Sequence, residues 1–266
     1  MEVFMEKERF ECSSCSKEPT GRINVGRFIA KLDECFKTDD LAEAARTVEY
    51  WENEARSLND TCGLLSVLNE EIGLYRRMNE KDKALRTVRL AKEIVDFSEN
   101  NDVSRATVMV NAATTLKAFG YPAEGLPYFD KAEEIYIDNG KKDSFEHAAL
   151  LNNKSSSLCD LKRYDEGEKC LNYAIEILKK EGKHDGEIAV SLINLAHLTY
   201  DRDENSYEAV EAILDKAWEY INSENQPHDA NYAFIISKCA PSLRYFKREL
   251  EAEALEQTAA EIYGNK

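Results

Sequence analysis

Proline and glycine are scarce in this chain, five and eleven among 266 residues, and they fall mainly between periodic segments. Strict apolar–polar alternation of the strand type is almost absent, so helix is the expected state throughout. Basic residues are in deficit, 35 Lys and Arg against 51 Asp and Glu, a formal charge of -16. That balance excludes a nucleic-acid surface, which must neutralise phosphates with clustered cations. It leaves room for a basic partner, although net charge governs solubility and association rather than fold. No run approaches the roughly 20 apolar residues that span a bilayer. The segment from Met1 to Phe10 has no apolar stretch of the kind a secretory signal requires. Seven cysteines, an odd number scattered through helical patterns, do not form a disulfide framework. They read as reduced, small, buried side chains, and a cytoplasmic location is expected from them.

What the sequence has is amphipathic segments in succession. Helices are expected over 24–37, 40–58, 62–78, 81–97, 103–119 and 122–138, then 144–161, 164–180, 186–201, 206–223, 229–246 and 248–263. Asp143 with Glu146, and Asn205 with Glu208, have capping-box spacing. Pro122 suits a first helical position, and Gly120, Gly140 and Gly182 follow helix ends.

Small residues reveal an internal repeat. Ala91, Ala132, Ala174, Ala217 and Ala259 lie 41, 42, 43 and 42 residues apart, each late in the second helix of a pair. Seven residues before them stand Ala84, Gly125, Gly167, Val210 and Ala252; Ala44 with Trp51 extends the series less well. A glycine within a helix costs about 1 kcal/mol relative to alanine, so Gly125 and Gly167 predict close backbone approach to the first helix of the pair. Around 201–206 two extra residues predict a distorted turn.

With Tyr75, Ala84, Val88 and Ala91 in one unit, the chain resembles the tetratricopeptide repeat (TPR) family. The next units carry Ala113, Leu116, Gly125, Phe129 and Ala132, then Leu158, Tyr164, Gly167, Leu171 and Ala174, then Leu195, Ala196, Tyr207, Leu214 and Ala217. Its period exceeds the usual 34 or so and is similar to the long-repeat variety of kinesin light chains and bacterial peptide-sensing regulators. The resemblance implies an all-α fold, a TPR-like right-handed superhelix of antiparallel helix pairs. The expected organisation is a flexible leader over 1–21 and one solenoid over 22–266, with pairs at 22–58, 61–98, 102–139, 143–181, 185–223 and 228–263.

In such a solenoid the first helix of each pair lines the concave side. Asn111, Asn153 and Asn194 fall at equivalent positions of three such helices, with Asn152 beside Asn153 and Asn69 one place before its slot. Carboxamides supply the donor and acceptor a peptide backbone requires, and the resemblance implies that they contact a peptide's main chain. They can equally bond neighbouring helices or water. Arg76, Lys117, His197, Tyr200, Lys238 and Arg244 complete the expected peptide-binding face, with Arg77, Thr107, Thr114, Ser156 and Phe234 beside them. Its cations would match a peptide with acidic or carboxylate groups.

The expected function is therefore a protein- or peptide-binding scaffold. A peptide-responsive sensor that changes shape and a homo-oligomeric module are the alternatives. No cofactor, catalytic residue, membrane or nucleic-acid partner is expected. Cys12 and Cys15 form a lone CxxC, half of a tetrahedral zinc site with no second half. Cys159 and His197 could approach one another on adjacent repeats, but no oxyanion-stabilising loop accompanies them.

Overall fold

The computed structural model describes residues 20–96, 102–224 and 226–264. The leader up to residue 19, with Cys12 and Cys15, lies outside them. The described residues contain twelve α-helices: α1 (Val25–Lys37), α2 (Leu41–Ser57), α3 (Thr61–Arg77), α4 (Lys81–Asp96), α5 (Val103–Ala118) and α6 (Pro122–Asp138), followed by α7 (Phe145–Asp160), α8 (Tyr164–Glu181), α9 (Asp185–Arg202), α10 (Tyr207–Ile221), α11 (Ala230–Tyr245) and α12 (Glu249–Gly264). Every end falls within two residues of the sequence expectation.

Short polar side chains start many of these helices by accepting from the otherwise orphaned backbone N–H groups. Asn24, Asp40, Asp60, Asp102 and Asp229 do so for α1, α2, α3, α5 and α11. The two expected capping boxes are displaced by one residue. Ser144 caps α7 by accepting from His147 N at 3.3 Å, because Asp143 is spent in a left-handed turn at φ 63°. Ser206 precedes α10 without a side-chain cap bond, and Asn205 instead donates to Asp203. Pro127 and Pro241 stand inside α6 and α11 rather than between segments.

One turn geometry recurs. After α3, Asn79 adopts φ 57° and Glu80 N donates to Tyr75 O at 2.9 Å. Asp40 N to Cys35 O, Asp60 N to Ala55 O, Tyr121 N to Leu116 O, Arg163 N to Leu158 O and Arg248 N to Leu243 O repeat that backbone bond. This is the Schellman closure, which needs one left-handed residue. Gly120 fills it after α5, whereas Lys162 and Lys247 fill it after α7 and α11. The α9–α10 connection departs from the rule: Asp203 is extended at φ -150° and Asn205 N turns back onto Asp203 Oδ1 at 3.0 Å.

The helices gather into two compact bodies that divide between Gly140 and Lys141. In the first, α1–α2, α3–α4 and α5–α6 form pairs and α3 lies against α5. In the second, α7–α8, α9–α10 and α11–α12 pair, with α9 touching both α7 and α11. Odd-numbered helices thus neighbour one another in succession within each body.

The small-residue ruler measures this packing. Ala84, Ala91, Ala132, Ala174, Ala217 and Ala252 are fully buried. A Cβ at Gly125 would stand 2.9 Å from the Ala113 carbonyl oxygen on α5. One at Gly167 would meet Leu198 Cδ1 at 2.8 Å and Ser155 O at 3.3 Å. Both glycines therefore permit the backbone approach that their helical cost implied. Phe28, Phe129, Tyr75 and Tyr136 fill the larger spaces between helices.

Candidate functional site

Each body carries one rung of paired carboxamides on its odd-numbered helices. In the first, Asn111 Nδ2 on α5 donates to Asn69 Oδ1 on α3 at 2.7 Å. In the second, Asn194 Nδ2 on α9 donates to Asn152 Oδ1 on α7 at 2.9 Å. The inner member of each rung is buried and the outer one half-buried. Asn152 is fully enclosed and also donates to the Ser191 hydroxyl. The rungs join Asn69 to Asn111 and Asn152 to Asn194, both 42 residues apart, so Asn152 rather than Asn153 is the residue in register with Asn69. Asn153 is buried, and its Oδ1 accepts no hydrogen bond.

The cations expected on this face have partners within the chain. Arg76 Nη1 donates to Thr115 Oγ1 at 3.1 Å. Arg77 pairs with Asp39 at 2.6 Å. Arg244 is clamped by Glu249 at 2.6 Å and Glu256 at 2.8 Å, both from α12. Lys238 is exposed, with its ammonium 5.4 Å from the centre of the Phe234 ring. Lys117 is half-buried near the end of α5. Thr107 and Thr114 are buried, and each returns its hydroxyl to a carbonyl one turn back.

His197 and Tyr200 lead to a cluster absent from the sequence expectation. The His197 ring lies 5.2 Å from Tyr245 and 4.7 Å from Phe246, and Tyr200 lies 6.0 Å and 5.9 Å from the same two rings. Tyr200, Tyr245 and Phe246 are mutually near-perpendicular, at 86°, 83° and 84°. Tyr207, the first residue of α10 after the atypical connection, approaches Tyr200 at 6.2 Å. Burial holds the His197 imidazole below its usual pKa, against the opposing pull of Asp201.

Beside these rings a cleft of about 180 Å³ opens between α7 and α9, lined by Ser156, Cys159, Asp160, Asn194, His197 and Asp201 among others. The Cys159 thiol donates to Asp201 Oδ2 at 3.4 Å. Cys159 and His197 thus share a cleft, with the thiol directed to a carboxylate and the imidazole laid against aromatic rings.

The remaining ionisable groups are dispersed. His147 accepts from Asp143 N at 3.3 Å, His184 contacts Glu181 at 2.8 Å, and His228 stacks on Tyr232. Among the described residues, no three His, Cys, Asp or Glu side chains converge as a metal site would require. Cys35, Cys159, Cys170 and Cys239 are free thiols, and burial raises Cys239 to about 12. Cys62 is disulfide-bonded and so departs from the fully reduced set expected. In the first body, burial foremost and then the Glu52 carboxylate raise Glu71 to about 8. Thr87 Oγ1 donates to this carboxyl at 3.3 Å. No described helix is long and apolar enough to cross a membrane.

Similar architectures exist among solved structures. BtubC from P. vanneervenii is 17% identical with a TM-score of 0.57, covering 85% of this chain and 90% of that one. A Podosopora anserina protein described as a kinesin light chain with nearly identical TPR-like repeats is 13% identical with a TM-score of 0.52, covering 76% and 95%. A Rap protein complexed with Competence and Sporulation Factor is 13% identical with a TM-score of 0.52, covering 90% and 78%. The fold of this chain is therefore all-α and TPR-like. No family model and no curated protein matches the sequence.

Proposed function

We propose that this protein is a non-enzymatic binding module, a scaffold that holds a protein or peptide on the odd-numbered helices. The observation that carries the reading is the repeated amide rung. A buried carboxamide fixes an outer one, at Asn69–Asn111 and again at Asn152–Asn194. Preorganised amides of this kind suit a peptide main chain, which demands donors and acceptors in alternation and repays a receptor that needs no reordering. The Rap structure, complexed with Competence and Sporulation Factor, supports ligand binding on a fold of this type.

The ligand's charge is not assigned from the cations of the face, because Arg76, Arg77 and Arg244 are already bonded within the chain. The test is an affinity capture with the intact chain and with Asn111→Ala/Asn194→Ala, after circular dichroism shows equal helicity. Each captured partner is then measured by calorimetry. Loss of a specific partner in the variant is expected; unchanged affinity would move the working surface away from the amide rungs.

A further inference from the structure

Five of the seven cysteines fall among the described residues. Cys35, Cys159, Cys170 and Cys239 are free thiols, whereas Cys62 is disulfide-bonded. A bond from Cys62 needs a second cysteine. The two that remain are Cys12 and Cys15, the CxxC pair, which lie outside the described residues.

The described chain carries the CxxC segment toward Cys62. Thr20 donates from its N–H and from its hydroxyl to Leu58 O, both at 3.0 Å, in the turn between α2 and α3. Ile23 N donates to Asp60 Oδ2 at 2.9 Å, and the same carboxylate caps α3 by accepting from Gly63 N at 3.0 Å. Ile23 lies so close over Gly63 that a Cβ there would stand 2.5 Å from Ile23 Cγ1. Cys62, the second residue of α3, is next to Gly63 in the chain. Cys15 and Cys12 precede Thr20 by five and eight residues. An extended chain spans about 3.3–3.6 Å per residue, so both are within reach of the start of α3.

The surroundings of Cys62 favour its departure from that bond. It is only 8% exposed, so an approaching thiolate meets the partner sulfur and Cys62 is the group that leaves. The unsatisfied N–H groups of a helix's first turn stabilise a thiolate, and a stabilised thiolate leaves faster. The nearby Asp60 charge is already engaged by two backbone N–H groups.

We propose that Cys62 is joined to one cysteine of the Cys12–Cys15 pair and that the other is a resolving thiol, which makes the bond a releasable staple between the leader and α3. In the releasing step the resolving thiolate attacks the sulfur of its CxxC neighbour. A Cys12–Cys15 disulfide forms, the bond to Cys62 breaks, and the Cys62 thiolate takes up a proton in place of the one the attacking thiol lost. One S–S bond replaces another, so no oxidant or reductant is consumed. Cys62 follows Cys15 by 47 residues and Cys12 by 50, so the stapled form closes a loop containing α1 and α2 and restricts the unfolded chain. Release removes that constraint. Nothing in this device depends on a bound peptide.

The test takes the full chain, purified without reductant, through a series of glutathione redox buffers. Each sample is quenched with acid, alkylated with N-ethylmaleimide and digested for mass spectrometry. Two isomers are expected: a Cys62 peptide linked to the peptide holding Cys12 and Cys15, and a chain with Cys12 joined to Cys15 and Cys62 alkylated. One of Cys12→Ser and Cys15→Ser should keep the Cys62 link, with circular dichroism confirming unchanged helicity. Under dilute glutathione, Cys62 should be released from that variant at least about 10-fold more slowly than from the wild-type chain, because a resolving thiol in the same chain acts at high effective concentration. Cys62 never linked within the chain at any redox poise, or linked to a second chain instead, would overturn the staple. Equal release rates would overturn the resolving step. A stoichiometric zinc ion retained by the chain and lost in Cys62→Ser would also overturn the proposal, since those thiolates would then be metal ligands.

Discussion

Asn111 reaches across from α5 to give a side-chain proton to Asn69 on α3, at 2.7 Å and 42 residues' remove. The bond joins successive odd-numbered helices, so it stabilises stacking within the first body rather than either helix alone. Asn69→Ala leaves the Asn111 donor without this acceptor and should cost about 1–2 kcal/mol. A double-mutant cycle with Asn111→Ala, read by urea unfolding, should return a coupling of about 0.5–1.5 kcal/mol. Strict additivity would show the bond contributes nothing.

Two glycines in helices should respond to alanine with opposite signs. At Gly125 the new methyl would meet the Ala113 carbonyl oxygen at 2.9 Å, which is backbone and yields poorly. Gly125→Ala should destabilise by about 1–3 kcal/mol despite its better helix propensity. Gly73 has nothing within 4 Å of its missing Cβ, so Gly73→Ala should stabilise by about 0.5–1 kcal/mol. Thermal unfolding of the two variants side by side decides the matter.

Glu71 gives the first body a pH dependence of definite sign. Its carboxyl is pushed from an ordinary 4.5 up to about 8 in the folded chain, because burial disfavours the charged form. The folded state therefore binds the extra proton between those values, and stability falls as pH rises through that window. Below 4.5 both states are protonated and the penalty vanishes; above 8 it is complete. Its size is of the order of a few kcal/mol. Glu71→Gln should flatten this slope in urea midpoints measured across the window, and an unchanged slope would refute the assignment.

Lys162 and Lys247 hold left-handed turns at φ 58° and 66°, a conformation that costs a residue with a Cβ more than glycine. Lys162→Gly and Lys247→Gly should each raise stability by about 0.5–1 kcal/mol. Gly120→Ala, at φ 88°, should do the reverse by a similar amount. Calorimetric melting of the three proteins measures all of these.

Helix number and position were legible because buried alanines must recur wherever one helix crosses another, and Ala91, Ala132 and Ala174 kept that beat. The asparagine register was less legible. A helical residue and its neighbour differ by about a quarter turn; periodicity set Asn69 and Asn152 alike one place before the slot of Asn111, Asn153 and Asn194, but not which of the two neighbours bonds across, and Asn152 is the one bonded to Asn194. The partners of Arg244 were hidden for another reason: Glu249 and Glu256 belong to the following helix, and only tertiary packing brings them within 3 Å. Tyr245 and Phe246 escaped notice because aromatic residues usually denote core, and exposure is not written in their type. The extra residues near 201–206 were the available signal, since a broken turn in a regular array marks a place where something other than packing shaped the chain.

The rung from Asn69 to Asn111 and the rung from Asn152 to Asn194 each join adjacent helix pairs, and the turns within the pairs α1–α2, α3–α4, α5–α6, α7–α8 and α11–α12 close on their own backbone. Heredity can act on such an object in whole units. A duplication of some 42 codons would add two helices and one more rung, and would leave the existing bonds of distant pairs untouched. The array can thus lengthen by copying, where most folds would have to be redrawn.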